Sequence, residues 1–384
     1  MSEIMCVENQ SHGPEGPSLF GKQVKAFTHE LSLIENEIDG SSVPEYEDSI
    51  HRRLMEAVEA SVDACREFEA HFGADKNLLR ETQAMFRKET DRFFLQSWFA
   101  NRARSKPTGF AGDYRMLCKI YGEPCDSRGV GAYLDLMFTD LPLACAVRGR
   151  LEMIRKFLLQ EVASRGLADP VRILDIASGP CREFYDWPSR THAIDALAMD
   201  SDPPAVEYVN SVVAPRVTSP SRLESIQYNA FRTRSSEATI KKFGRFDIIY
   251  SVGLCDYLTD DVLIKLLSAW YDTLAENGVL FVAFKDTRRY DQTIYQWHLD
   301  WFFYQRTVQD VFDLYDKAGF DLGNIETCRD ETGVITGFVT RRHPSRQLRV
   351  DTSETVVRKP TLRLFGNRPV VMPSAPTTQG LPAT

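Results

Sequence analysis

Residues 171–184 read VRILDIASGPCREF: an apolar run ends in Asp175 and opens into small residues, with Gly179 the one glycine. In open α/β sheets ligands gather at the carboxyl ends of strands, where small residues let the backbone approach them. A pyrophosphate would want several glycines and free N–H donors at the start of a following helix. Here Ala177 and Cys181 stand where a D-x-G-x-G-x-G turn has glycine, and Pro180 removes a donor close to the start of that expected helix. The turn therefore suits a nucleoside of lower negative charge. Asp175, Ala177, Ser178 and Gly179 are its candidate contacts.

Three further stretches place a polar residue just past an apolar run. Asp200 follows the second run and can accept hydrogen bonds from ribose hydroxyls. Pro203 and Pro204 behind it suit the first turn of a helix. Asn229 and Ala230, in YNAF, offer a side-chain amide and a backbone N–H to an adenine edge. The fourth run, FDIIYSVGLCDYL, brings Ser251, Asp256 and Tyr257 to the same end. In this order and spacing the residues indicate S-adenosylmethionine (SAM) as cofactor, with S-adenosylhomocysteine (SAH) as its product. The chemistry expected is methyl transfer from a sulfonium.

Such an in-line transfer needs an aligned nucleophile and exclusion of water. KPTGFAGDY, residues 106–114, reads as a lid hinged at Gly109 and Gly112. It offers Phe110 to an acceptor pocket, with Asp113 and Tyr114 as an acid and a phenol. YQWHLDWFFYQR, residues 295–306, repeats Trp297, Trp301 and Tyr304 at helical spacing as an acceptor wall. Within it, His298 is a candidate base and Arg306 a bidentate carboxylate ligand. A carboxylate acceptor needs no base, whereas a hydroxyl or a protonated amine does. Each residue also has an ordinary structural use: acid as helix cap, histidine as buried hydrogen-bond partner, aromatics as core, arginine at a helix end. Residue type alone leaves both uses open.

The elements that must position these residues follow from periodicity. Apolar runs at 171–176, 193–199, 224–228, 246–251 and 278–284 alternate with helical stretches, which indicates βαβ units and a parallel sheet. Two more runs, near 321–327 and at 333–340, are joined by CRDETG and suit a hairpin. Helices are clearest at 260–276 and 307–318. The layout predicts an α/β fold, a Rossmann-like class I methyltransferase sheet of five parallel-type strands plus an antiparallel terminal hairpin. Ahead of it, EDSIHRRLMEAVEASVDACREFEAHF and NLLRETQAMFRKETDRFFLQSWFANRA space their apolar residues for amphipathic helices. They predict an N-terminal α-helical cap domain over 19–168. Residues 1–18 read as a disordered leader, 169–342 as the SAM-binding catalytic domain and 343–384 as a basic, proline-rich tail.

Composition mainly excludes. A net charge of −8 over 384 residues gives no field for nucleic acid. No apolar run reaches the roughly 18 residues that span a bilayer. The first residues lack the basic start and apolar stretch of a signal peptide, so a cytoplasmic location is expected. The eight cysteines and seven histidines show no metal-ligand spacing, so reduced thiols and no metal are expected. The expected partners are a small-molecule acceptor and, through the N-terminal helices, a second copy of the chain.

KPTGFAGDYRMLCKIYG, ILDIASGPCREF, YSVGLCDYLTDD and WHLDWFFYQRT together resemble the motif set of a bacterial family, over about residues 100–340. That family is the extracellular-factor (3-hydroxypalmitic acid methyl ester) biosynthesis methyltransferases. The resemblance implies SAM-dependent methyl transfer with a fatty-acid carboxylate as acceptor. The chain departs from the pattern at AFKD (283–286), which replaces an asparagine-containing end of the fifth strand, and at Phe110, where tyrosine is common. Both departures lie on the expected acceptor side. A carboxylate acceptor is the first reading, and an amino-acid-like amine, paired with Asp113, Tyr114 and His298, the second. A non-catalytic SAM-binding scaffold is the reading from another class. A dinucleotide oxidoreductase is disfavoured by the glycine-poor turn.

Overall fold

The computed structural model describes residues 15–38, 48–124, 126–165, 169–188 and 193–343. The tail expected from 343 and most of the leader expected over 1–18 lie outside the described residues. The first helices are α1 (Glu15–Glu37), α2 (Ser49–Phe72), α3 (Lys76–Phe94), α4 (Trp98–Ser105), α5 (Tyr114–Ile120), α6 (Val130–Thr139) and α7 (Pro142–Ala163). α1 begins at Glu15, inside the stretch expected to be disordered. Asp48, Asp75, Ser97 and Asp113 each accept a backbone N–H at the start of α2, α3, α4 and α5, which sets where those helices begin. Pro142 opens α7, where a missing N–H is harmless.

Strands and helices then alternate: β1 (Val171–Ile176), β2 (Ile194–Asp200), α8 (Pro203–Tyr208), β3 (Arg222–Gln227), α9 (Ser236–Phe243) and β4 (Phe246–Val252). α10 (Asp260–Thr273), β5 (Leu274–Lys285), α11 (Thr293–His298), α12 (Val308–Lys317), β6 (Ile325–Arg329) and β7 (Ile335–Arg341) complete the series. The strands form one sheet in the order β3-β2-β1-β4-β5-β7-β6. The first five in that order run parallel, and β7 enters antiparallel between β5 and β6. The parallel strands and terminal hairpin match the alternation of apolar runs.

One connection differs from expectation. The strand β1 leads into a single 3-10 turn, Arg182–Phe184, and no α-helix lies between β1 and β2 among the described residues. Pro180 and Pro188 bracket that turn and resist helix extension. The helix α7 holds it in place instead: Arg155 donates to Tyr185 O at 2.5 Å and to Glu183 O at 3.3 Å.

Sheet side chains alternate between two cores. Ile173, Ile248, Tyr250, Val279 and Phe281 face a core that runs unbroken through Phe20, Phe86, Phe94 and Phe138 of the N-terminal helices. Leu174, Ile249, Leu280, Val282 and Phe284 face Leu263, Leu266 and Trp270 of α10 and Phe312 and Tyr315 of α12. Each such side chain contributes about 1.5–3 kcal/mol relative to exposure. The shared core seats the N-terminal helices against the carboxyl ends of the strands. Among the described residues no single helix is long and apolar enough to cross a membrane.

Candidate functional site

A cavity of about 350 Å³ opens at the carboxyl ends of β1, β2, β4 and β5, between the sheet and the N-terminal helices. The turn after β1 forms part of its sheet-side wall. Ala177, Gly179 and Cys181 have φ of +58°, +54° and +48°, the left-handed region that glycine favours. The turn thus keeps the shape of a glycine-rich turn with two non-glycine residues, at about 1–2 kcal/mol each. Two bonds to β2 hold it: Gly179 N–H to Asp200 Oδ2 (2.8 Å) and Ser178 N–H to Met199 O (3.0 Å).

Asp200 also accepts the Asp202 N–H at Oδ1 (2.9 Å), and burial raises its carboxyl above the usual range. Each oxygen retains a lone pair for a ligand hydroxyl. Asp202 Oδ2 is buried without a partner. Asn229 accepts the Phe231 N–H at Oδ1 (2.8 Å), which leaves its amide N–H groups for the cavity it lines with Ala230.

Two cations to which the sequence reading assigns no role also line the cavity. Arg150, 4% exposed, projects from α7 on the face of Leu143 and Val147. A Cβ on Gly253, just past β4, would lie 2.8 Å from its Nη1. Its Nε has no hydrogen-bond partner and no carboxylate lies within salt-bridge distance among the described residues, though the guanidinium meets the Tyr121 hydroxyl and the Glu183 charge acts on it. Lys285 ends β5. Its Nζ pairs with Asp256 Oδ2, while Asp256 Oδ1 accepts the Lys285 N–H at 3.1 Å. Burial pulls the Lys285 amine below its ordinary value; the Asp256 charge opposes this and Arg150 adds to it. Both cations leave a trace in sequence: Arg150 interrupts an apolar i, i+4, i+7 stripe, and Lys285 closes an apolar strand.

Of the predicted residues, Ala177, Gly179, Asp200, Asn229, Ala230, Tyr257, Phe110, Asp113, Tyr114 and Trp301 line the cavity. The 106–114 loop lies against its wall: a Cβ on Gly112 would meet Trp301 Cζ2 at 2.8 Å and Tyr257 Oη at 2.9 Å. Asp113 is not a free acid. Arg102 grips both its oxygens at 2.8 and 2.6 Å, and Thr108 Oγ1 and the Met116 N–H complete its shell. It caps α5 and anchors the loop.

The other predicted residues lie outside the cavity lining. Asp175 is buried behind the turn, where it accepts from Cys181 Sγ at 3.3 Å, near Glu183, itself bound by Tyr250 Oη at 2.5 Å. Burial raises both carboxyls, and the Glu183 charge raises Asp175 further. Asp175, Cys181 and Glu183 bring potential metal-ligand atoms within 4.8 Å of one another, a grouping that sequence spacing does not reveal. Ser178 is held through its backbone, and its Oγ is buried without a partner. Ser251 Oγ donates to Ile176 O at 2.9 Å and staples β4 to β1.

Helical spacing across 295–306 lapses because α11 ends at His298 and Asp300 turns to φ +53°. Trp297 therefore parts from Trp301 and donates to Glu69 Oε1 at 2.7 Å in the N-terminal core. His298 is fully buried beside Phe86 and Phe94, with Nε2 2.8 Å from Ser61 Oγ. Burial, with a smaller push from Arg104, lowers its pKa to about 3. Neutral and away from the cavity, it is no base for the site. Tyr304 is 49% exposed and stacks under Arg306. Arg306 is buried and donates to Leu258 O (2.5 Å), Asp260 Oδ1 (2.7 Å) and Cys255 O (3.2 Å). It pins the segment that carries Asp256 and Tyr257 and does not meet the cavity.

The strand order and the cavity at the strand ends define a Rossmann-like fold of the class I methyltransferase type. No family model matches the sequence, and no curated protein matches it. Among solved structures the chain is similar to a possible exported protein from Bordetella parapertussis, at 14% identity over 87% of this chain and 100% of that one, with a TM-score of 0.49. It is also similar to the magnesium protoporphyrin IX methyltransferase of Synechocystis PCC 6803 with bound SAM, at 10% identity over 68% and 96% of the two chains, TM-score 0.41. The N-methyltransferase NodS from Bradyrhizobium japonicum WM9 is a third, at 14% identity over 50% and 97%, TM-score 0.33. The fold assignment rests on the strand order, and these likenesses carry no argument about ligand or activity.

Proposed function

We propose that the chain is a SAM-dependent methyltransferase whose acceptor is a small apolar carboxylic acid, converted to its methyl ester. One observation carries the reading: the cavity joins a nucleoside-type wall to an apolar enclosure, with a buried guanidinium that makes no salt bridge among its lining. The residues fit the cofactor. Asp200 and the unpartnered Asp202 Oδ2 suit ribose hydroxyls, Asn229 and Ala230 the adenine edge, and Arg150 the methionine carboxylate. When bound, SAM supplies a methyl group on a sulfonium, which an acceptor oxygen takes. The protein's own work is to bind, align and exclude water. Phe99, Phe138, Leu143, Trp301 and Phe303 provide the desolvating wall, and the 106–114 loop adds Phe110 and Gly112 to it.

The ester reading is favoured over N-methylation by the state of the acids. An amine acceptor was to pair with Asp113, Tyr114 and His298. The structure commits Asp113 to Arg102 and puts His298 in the N-terminal core. Asp256 is paired with Lys285. A carboxylate needs none of them as a base, and it is also the acceptor class of the family that the motifs resemble. The test is incubation with methyl-labelled SAM and a metabolite extract, read by mass spectrometry. A labelled product that releases methanol in mild base is expected. A base-stable product supports N-methylation instead, and SAM binding without turnover supports the scaffold.

A further inference from the structure

Lys285 supports a more specific assignment, which rests on the methyltransferase reading above. An ammonium has three donors, and among the described residues only Asp256 Oδ2 accepts from Nζ. The other close neighbours are aromatic rings, Phe303 at 4.0 Å and Tyr257 at 5.7 Å. The side chain is 7% exposed and lines the cavity among Phe99, Phe138 and Trp301. Its remaining donors thus have no protein acceptor among the described residues and lie in the cavity wall.

Lys285 and Arg150 line the same cavity and act on each other as like charges; Asp256 pairs with Lys285, and Asp200 and Asp202 lie on the nucleoside side of the cavity. Asp113 is taken by Arg102 and Asp260 by Arg306. With two donors unused between aromatic rings, the Lys285 ammonium is unfavourably placed until an acceptor enters. If Arg150 takes the methionine carboxylate, Lys285 is left for a second anionic group.

We propose that Lys285, oriented by Asp256, selects the acceptor: its free N–H groups hold one carboxylate oxygen of an apolar acid within the aromatic enclosure. The same charge repels an amine. It also loses its hold once the acid becomes a neutral ester, which favours product release.

The test is calorimetric titration of the SAH-saturated protein with octanoate, 1-octanol and octylamine. Octanoate is expected to bind roughly ten- to hundredfold more tightly than octanol, the range for a charge-assisted hydrogen bond in a buried site. Octylamine is expected to show no binding. Lys285→Met alone would strand Asp256 as a buried charge and unfold the protein in the worst case. The informative variant is therefore the double change Asp256→Asn with Lys285→Met, neutral at both positions. In it octanoate and octanol reach parity, while SAH affinity holds. The assignment is overturned by a preference that survives the double change, by octylamine binding as tightly as octanoate, or by octanoate failing to bind. Failure of SAH to bind the unmodified protein overturns the methyltransferase reading instead, so the two failures are distinct.

Discussion

Arg150→Met separates the two ends of the cofactor. Methionine matches the length of the arginine stem and removes a guanidinium that is 4% exposed and has no partner at Nε. A guanidinium–carboxylate contact in a buried site is worth about 2–4 kcal/mol when one partner is removed. That is roughly 30- to 1000-fold in Kd. SAH carries the carboxylate; 5′-methylthioadenosine has the same nucleoside and sulfur without the amino-acid part. Calorimetry is expected to show the loss for SAH and none for methylthioadenosine. Equal weakening of both ligands, or an unchanged SAH affinity, refutes the assignment of Arg150.

Gly112→Ala places a Cβ 2.8 Å from Trp301 and 2.9 Å from Tyr257 Oη; the overpacking is expected to lower stability by about 1–3 kcal/mol. Thermal unfolding checks it, and an unchanged midpoint means that the loop does not rest on that wall. His298 gives a pH signature. Its pKa drops from 6.5 in the unfolded chain to about 3 when folded, so the unfolded state binds the extra proton between those values. Stability from this group is complete above the unfolded value and falls with pH across that window, by up to about 1.4 kcal/mol per unit. Denaturant titrations of the protein and of His298→Gln are expected to diverge by that slope, while parallel curves contradict the burial of a neutral imidazole.

The sheet was legible because its strands are short apolar runs whose register the hairpin and the βαβ alternation constrain. The sheet-side contacts were legible for a related reason: a residue just past a strand has few places to point. Ala177, Gly179, Asp200 and Asn229 all face the cavity. Asp175 and Ser251 belong to the strands themselves, and their side chains alternate away from it. The far wall was harder to read. Trp297 and Trp301 look like successive turns of one helix, but Asp300 breaks the helix between them. Arg306 and Asp113 look free in sequence; Arg306 is bonded to partners distant in the chain, and Asp113 is held by Arg102 of the preceding helix. Arg150 and Lys285 acquired a role only when α7 and β5 were brought to one cavity, since the polar break each makes in an apolar pattern does not say what it meets.

The most direct test of the central claim is a crystal structure of the protein with SAH. It is expected to show the ribose hydroxyls on Asp200 and the methionine carboxylate on Arg150. The sulfur should face the enclosure of Trp301, Phe303 and Lys285, with the 106–114 loop closed over it. SAH bound away from these residues, or a sulfur turned from the 106–114 loop and Lys285, would contradict the account.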